Sequence, residues 1–156
     1  LSRQFPGRFY FSGFDKQLSD FAFSASTAVI SAPSFEPFGY YILQGLVAGS
    51  PIVGTQAGGC IDMLTEFEPS KKKGNGFFIE GGESTRQEAF TRTLYRTVDT
   101  LTELKKNKTL YNSELKRMMK RVRNDYSVKK MASHYEPIID RMVSKVADKK
   151  SILYSL

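Results

Sequence analysis

The rhythm of apolar and polar positions changes once along this chain, near residue 82. Before that point, short unbroken apolar runs recur between polar, glycine-bearing stretches. They are Arg8-Phe9-Tyr10-Phe11-Ser12, Thr27-Ala28-Val29-Ile30-Ser31, Pro51-Ile52-Val53-Gly54 and Gly76-Phe77-Phe78-Ile79. Apolar runs that do not alternate predict strands buried on both faces. The stretches near 15–25, 39–49 and 58–67 are long enough to be crossover helices between them. Strand–helix–strand repetition of this kind predicts a parallel sheet with helices on both sides. Lys71-Lys72-Lys73-Gly74-Asn75-Gly76 is polar and glycine-rich, so it predicts a solvated loop or hairpin tip.

After residue 82 the period becomes helical. Ser84 with Gln87 has the spacing of a capping box. Phe90, Leu94, Val98, Leu101 and Leu104 then fall on one face of a helix. Tyr111, Leu115, Met118 and Val122 form a second stripe, and Val128, Met131, Tyr135, Ile138 and Met142 a third. Pro137 lies inside the third stripe and predicts a kink or short break there. The pattern predicts one α/β domain over residues 1–156, with strand and helix alternating over 1–82 and a helical portion over 83–156.

Composition narrows the function classes. With 40% hydrophobic and 25% charged residues, the chain is an ordinary globular one. No run approaches the length of a membrane span, and the N-terminus has no basic-then-apolar signal pattern. A chain starting at Leu1 without an initiator Met is expected to come from a longer product. One cysteine, Cys60, excludes an internal disulfide framework and suits a reducing compartment. One cysteine and one histidine, His134, exclude a zinc site of Cys and His ligands built from this chain alone. His134 is expected to be non-catalytic. Cys60 is expected to be a small packed residue, although its place at a helix start could depress a thiol pKa.

The net charge of +7 is unevenly distributed, with a balance of −3 over residues 1–70 and +10 over 71–156. Such asymmetry raises the question of a nucleic acid partner. The basic residues are mixed with Glu and Asp along amphipathic helices, so they read as solvated faces rather than a polyanion site.

In open parallel sheets, ligands bind beyond the carboxyl ends of the strands. Two segments here lead from a strand into a helix: Ser31-Ala32-Pro33-Ser34-Phe35-Glu36-Pro37-Phe38-Gly39 and Gly54-Thr55-Gln56-Ala57-Gly58-Gly59. Each offers a glycine turn before a helix N-terminus, where unbonded amides and the helix dipole favour anions. Two such turns from adjacent units could face one diphosphate. Glu36 would then bring a carboxylate to the same crevice. A sugar on a diphosphate suits that combination, with hydroxyls to bind and positive charge developing at the anomeric carbon.

Phe35-Glu36-Pro37-Phe38-Gly39, Pro51-Ile52-Val53 and Gly58-Gly59 with Asp62 closely resemble the starch and glycogen synthases. That family has Phe-Glu-Pro-Cys-Gly, then Pro-Ile/Val-Val, then Thr-Gly-Gly-Leu-x-Asp. Gly13-Phe14 is similar to its upstream Gly-Tyr, and Asn124-Asp125-Tyr126-Ser127 to its Asp-Phe-Ser-Trp. The likeness covers roughly residues 5–143. It implies an α/β fold, a Rossmann-like parallel sheet flanked by helices, forming most of the C-terminal nucleotide-sugar-binding domain of a GT-B enzyme with a helical tail. It also implies transfer of glucose from ADP-glucose or UDP-glucose to the non-reducing end of an α-1,4-glucan, with retention.

By the same resemblance, Glu36 is the catalytic-site residue that contacts the donor glucose. Gly39, Tyr40 and Tyr41 would lie near the phosphates, with Phe38 and Gln44 beside them. Gly58 and Gly59, with Ala57, would bring backbone amides to the donor, and Phe14 would stack on the base. No metal or cofactor is implied. The implied partners are the nucleoside diphosphate glucose, the glucan acceptor and an N-terminal GT-B domain outside this chain, in cytosol or plastid; no membrane or nucleic acid is implied. The family's basic residues for the departing diphosphate would precede Leu1, so the chain is expected not to turn over alone.

The chain departs from the family at several positions. Ser34 replaces an Arg, Phe38 a Cys, Ala57 a Thr and Val128 a Trp, while Gln44 stands where related enzymes carry a second Glu. These departures define the alternative, a catalytically degenerate lobe kept as a binding or assembly module.

Overall fold

The computed structural model describes residues 3–80 and 86–153, with side chains to residue 146. Three short strands, β1 (Val29–Ser31), β2 (Ile52–Thr55) and β3 (Gly76–Ile79), form a parallel sheet in the order β1-β2-β3. Val29 pairs with Ile52, and Ile52 in turn with Gly76. Helix α1 (Lys16–Ala25) precedes β1, α2 (Tyr40–Ala48) joins β1 to β2, and the short α3 (Gly59–Met63) follows β2. Then come α4 (Arg86–Lys106), α5 (Lys108–Asp125) and α6 (Val128–Leu153). The expected α/β class, a Rossmann-like parallel sheet with helices on both faces, is what the chain adopts.

Alternate residues of β2 serve the two layers. Ile52 faces α2, whose Gly45 lies so close that an added Cβ would come within 2.7 Å of Ile52 Cδ1. Val53 joins a buried cluster with Phe67, Phe77, Ile79, Leu101, Leu104 and Met118 on the α4 and α5 side. Because both faces are covered, all four residues of β2 are buried, which is why the run reads as unbroken apolar sequence rather than alternation.

Residues 8–12 form no strand. No described strand pairs with them, and Tyr10 and Phe11 are exposed. β-propensity without a ladder partner does not hold an extended segment. Helix α3 is also shorter than the expected 58–67. Leu64 turns extended, and the buried Asn75 holds the departing chain. Its Oδ1 accepts from the Thr65 amide at 2.8 Å, and its Nδ2 donates to the Met63 carbonyl at 2.9 Å. The Lys71–Gly76 segment is an exposed tip as expected over Lys71, Lys72 and Lys73, entered by a 3-10 turn at Pro69–Lys71.

The buried face of α4 is Ala89, Thr93, Thr97, Leu101 and Leu104, rotated from the expected stripe, and Val98 is exposed. Small residues let the helix lie close to the sheet, and the threonine hydroxyls find carbonyls. Thr93 Oγ1 donates to Phe78 O at 3.2 Å and Thr97 Oγ1 to Thr93 O at 2.8 Å. Burial therefore leaves neither hydroxyl unsatisfied. Ser84, half of the expected capping box, lies outside the described residues.

The chain divides into two compact units, Leu1–Met119 and Lys120–Leu156, with the division inside α5. The first unit keeps α4 because that helix packs on β2 and β3. In the second, Ser127 Oγ caps α6 by accepting from the Lys130 amide at 3.1 Å. Of the expected kink or short break at Pro137, the break is not found: helix α6 runs through it. Its stripe of Val128, Met131, Tyr135, Ile138 and Met142 is exposed.

Candidate functional site

The two glycine turns meet at the carboxyl edge of the sheet, in contact through their main chains. The Gly59 amide donates to the Glu36 carbonyl at 3.0 Å. A Cβ built on Gly58 would overlap that same Glu36 carbonyl oxygen, and one on Gly59 would overlap the carbonyl of Phe38. Gly58 also has φ 44° and ψ −127°, a conformation that L side chains rarely adopt. The loop after β1 is further tied to the end of β2 by Thr55 Oγ1, which donates to Pro33 O at 2.7 Å.

The Glu36 side chain turns toward the start of α2. Its Oε1 accepts from the Gly39 amide at 2.7 Å and the Phe38 amide at 3.3 Å. Gly39, the residue that opens the helix, is left-handed at φ 87°. A carboxylate at this position complements the positive end of the helix dipole and satisfies amides that the helix leaves unbonded. The first helical residues beyond it are Tyr40 and Tyr41.

Behind Glu36, a small polar cluster joins three elements. Ser31 Oγ, at the end of β1, donates to the Tyr41 hydroxyl at 2.5 Å. Burial pushes the Tyr41 phenol up to about 12, with Cys60 and Glu36 adding to the rise and Ser31 opposing it. Burial likewise pushes the Cys60 thiol above its ordinary value, against the Tyr41 hydroxyl. Cys60 is fully buried. Desolvation outweighs the helix start here, so the thiol is a packed group and its pKa is raised rather than depressed.

Among the expected site residues, the fold thus brings together Glu36, Phe38, Gly39, Tyr41, Gly58 and Gly59. Ala57 is in the same turn, its carbonyl accepting from the Cys60 amide. Tyr40 and Gln44 lie one turn apart on α2, Tyr40 exposed and Gln44 half-buried. Phe14 is not joined to this group by any described contact. It is 96% exposed beside a recess formed with Gly13, Asp15, Leu18 and Ala22. Among the described residues, no group of three or more His, Cys, Asp or Glu is placed to hold a metal ion. No described helix is long and apolar enough to cross a membrane.

Sequence reasoning missed Arg86. The first residue of α4, it reaches across the crevice and donates from Nη1 to Ser34 Oγ at 2.8 Å. One signal could have pointed to it. The sequence has no Lys or Arg between Lys16 and Lys71, so any cation that this chain brings to the edge comes from outside that stretch.

The class of architecture is therefore a Rossmann-like lobe whose two glycine turns converge on a carboxylate. No protein-family model matches the sequence. The chain is similar in structure to the catalytic domain of starch synthase IV from Arabidopsis thaliana, solved with ADP and acarbose bound. The TM-score is 0.70 at 23% sequence identity, and the match covers 92% of this chain and 28% of that one. At that identity the likeness establishes the fold, in agreement with the GT-B lobe implied by the motifs. The chain spans little more than a quarter of the catalytic-domain chain it matches.

Proposed function

We propose that the chain is the donor-binding lobe of a retaining glucosyltransferase of the starch and glycogen synthase type. It would move glucose from ADP-glucose or UDP-glucose to the non-reducing end of an α-1,4-glucan. The observation that carries this reading is the backbone-to-backbone contact of the two strand-end turns around Glu36. Fold likeness to an enzyme solved with ADP adds support.

In this reading Glu36 Oε1 stays on the Gly39 amide, and Oε2 accepts from a glucose hydroxyl. The diphosphate lies over the N-terminus of α2, toward the amides of Tyr40 and Tyr41, where the helix dipole favours negative charge. Gly58 and Gly59 hold the second turn against the first, so that Ala57 and Gly58 border the donor. Phe14 offers an exposed ring for stacking on the base. The transfer needs a second lobe to bind the acceptor and neutralise the departing diphosphate, so the isolated chain binds donor without turnover.

One observation favours a second reading, a degenerate lobe that binds no donor. The Gly59 amide and the Glu36 carboxylate are both engaged within the protein. Calorimetric titration with ADP, UDP and their glucose esters separates the two. Binding of one diphosphate, with the glucose ester's added affinity lost in Glu36→Gln, supports the donor lobe. Absence of any binding by the folded chain, and by a polypeptide extended upstream, supports the degenerate one.

A further inference from the structure

The strand-end crevice has an electrostatic gap that its own elements do not fill. β1, α2, β2 and α3 all lie between Lys16 and Lys71, where the sequence has no Lys or Arg but does have Glu36 and Asp62. A diphosphate placed there would meet carboxylates uncompensated by any cation on those elements. Three other basic residues of the first unit are engaged elsewhere. Lys105 contacts Thr27, just before β1 at the opposite end of the sheet. Arg96 pairs with Glu66, and Arg117 with Glu114.

Arg86 is placed differently. Its guanidinium lies 2.8 Å from Ser34 Oγ, and Ser34 is two residues before Glu36. An extended chain covers at most ~3.6 Å per residue, so their Cα atoms are within about 7 Å. The Arg86 side chain also lines a recess of about 390 Å³ with Ala32, Thr55, Ile79, Gln87 and Phe90. Ala32, Thr55 and Ile79 stand at or just past the ends of the three strands. The volume is that of a small-molecule pocket, and Ala32, Ile79 and Phe90 give it an apolar wall. The Ser34 oxygen accepts one N–H and fixes the direction of the fork. A guanidinium carries five donors in a plane that matches a phosphate bidentately.

We propose that Arg86 is a binding residue for the diphosphate of the nucleotide sugar, supplied to the crevice from α4. This inference rests on the donor-lobe reading. The recess beside it takes an uncharged part of the same ligand against Phe90 and Ile79.

The test is calorimetric titration of the 156-residue chain with ADP and UDP at low and high ionic strength, for wild type, Arg86→Gln and Arg86→Lys. Arg86→Gln is expected to weaken the preferred diphosphate roughly ten- to hundredfold, the range for a charge-assisted hydrogen bond, and to reduce the salt dependence of binding. Arg86→Lys keeps the charge and is expected to retain most of the salt dependence. Far-UV circular dichroism confirms that both variants are folded. Wild-type affinity in Arg86→Gln overturns the proposal. A loss of affinity in Arg86→Gln with unchanged salt dependence also overturns it, because the side chain would then act only by pinning the Ser34 loop. Failure of the wild-type chain, and of a polypeptide extended upstream, to bind either diphosphate is a different result. It removes the donor-lobe reading itself, and this inference with it.

Discussion

The Gly59 amide donates to the carbonyl of Glu36 at 3.0 Å, fastening the turn after β2 to the turn after β1. The contact is so close that no side chain fits at either glycine of the second turn.

Replacement of Gly58 or Gly59 by Ala is therefore expected to destabilise the chain. The added methyl overlaps main-chain atoms of Glu36 or Phe38, which cannot rotate away as a side chain could. Overpacking of this kind costs about 1–3 kcal/mol, and Gly58→Ala adds backbone strain. Urea unfolding should show a lower midpoint at unchanged slope, and donor binding should weaken with it. A midpoint equal to wild type for Gly59→Ala would contradict the observed turn-to-turn contact.

Glu36 has a structural and a chemical role that two substitutions separate. Glu36→Ala removes the acceptor for the Gly39 and Phe38 amides and should cost about 1 kcal/mol, as loss of a helix cap does. Glu36→Gln keeps an acceptor oxygen and should unfold near the wild-type midpoint. Both should lose the preference for a nucleoside diphosphate glucose over the free diphosphate, measured by calorimetry.

Tyr41 makes stability fall at alkaline pH. Burial raises its folded pKa from the ordinary 10.0 to about 12, so the unfolded chain loses its proton first as pH climbs. The contribution is complete below about pH 10 and is lost as pH rises through the folded value. Cys60 and Tyr111, both raised by burial, act in the same direction. Thermal melts followed to about pH 11 should show a declining midpoint, with a shallower decline in Tyr41→Phe. Parallel declines in the two proteins would exclude Tyr41 as a source.

Glu114 is buried and accepts from Arg117 Nε at 2.9 Å and Nη2 at 2.8 Å. Arg117 also donates to the Gly74 carbonyl at 2.8 Å, tying α5 to the tip before β3. Arg117→Ala strands a buried carboxylate and should cost about 3–5 kcal/mol. Arg117→Met with Glu114→Gln removes both charges and should recover part of that loss. Chemical denaturation of the single and double variants gives the coupling energy, and a double variant no better than Arg117→Ala would rule out the stranded charge as the cause.

Much of the first unit was legible along the chain because its signals are local. Apolar runs at 27–31, 51–54 and 76–79 marked strands covered on both faces. Glycine before a helix at Gly39 and at Gly58-Gly59 marked turns whose backbone a side chain would obstruct. Those signals placed Glu36 at the carboxyl edge of the sheet and defined the fold class. Local propensity failed where a partner was needed: residues 8–12 carry strand-like composition but find no ladder, and Val98 fits the helical stripe of α4 yet faces away from the core.

Contacts across long sequence separations were decided by the tertiary structure alone. It joined the Gly59 amide to Glu36 and raised the Cys60 thiol by burial where its helix position suggested the reverse. It also set the guanidinium of Arg86 on Ser34, where the family resemblance had shown an arginine missing. The physical reason is that patterning specifies which face of an element avoids water. Which groups then meet across the crevice depends on how closely the elements pack, and the glycines at 45, 58 and 59 set that distance only once the chain is folded.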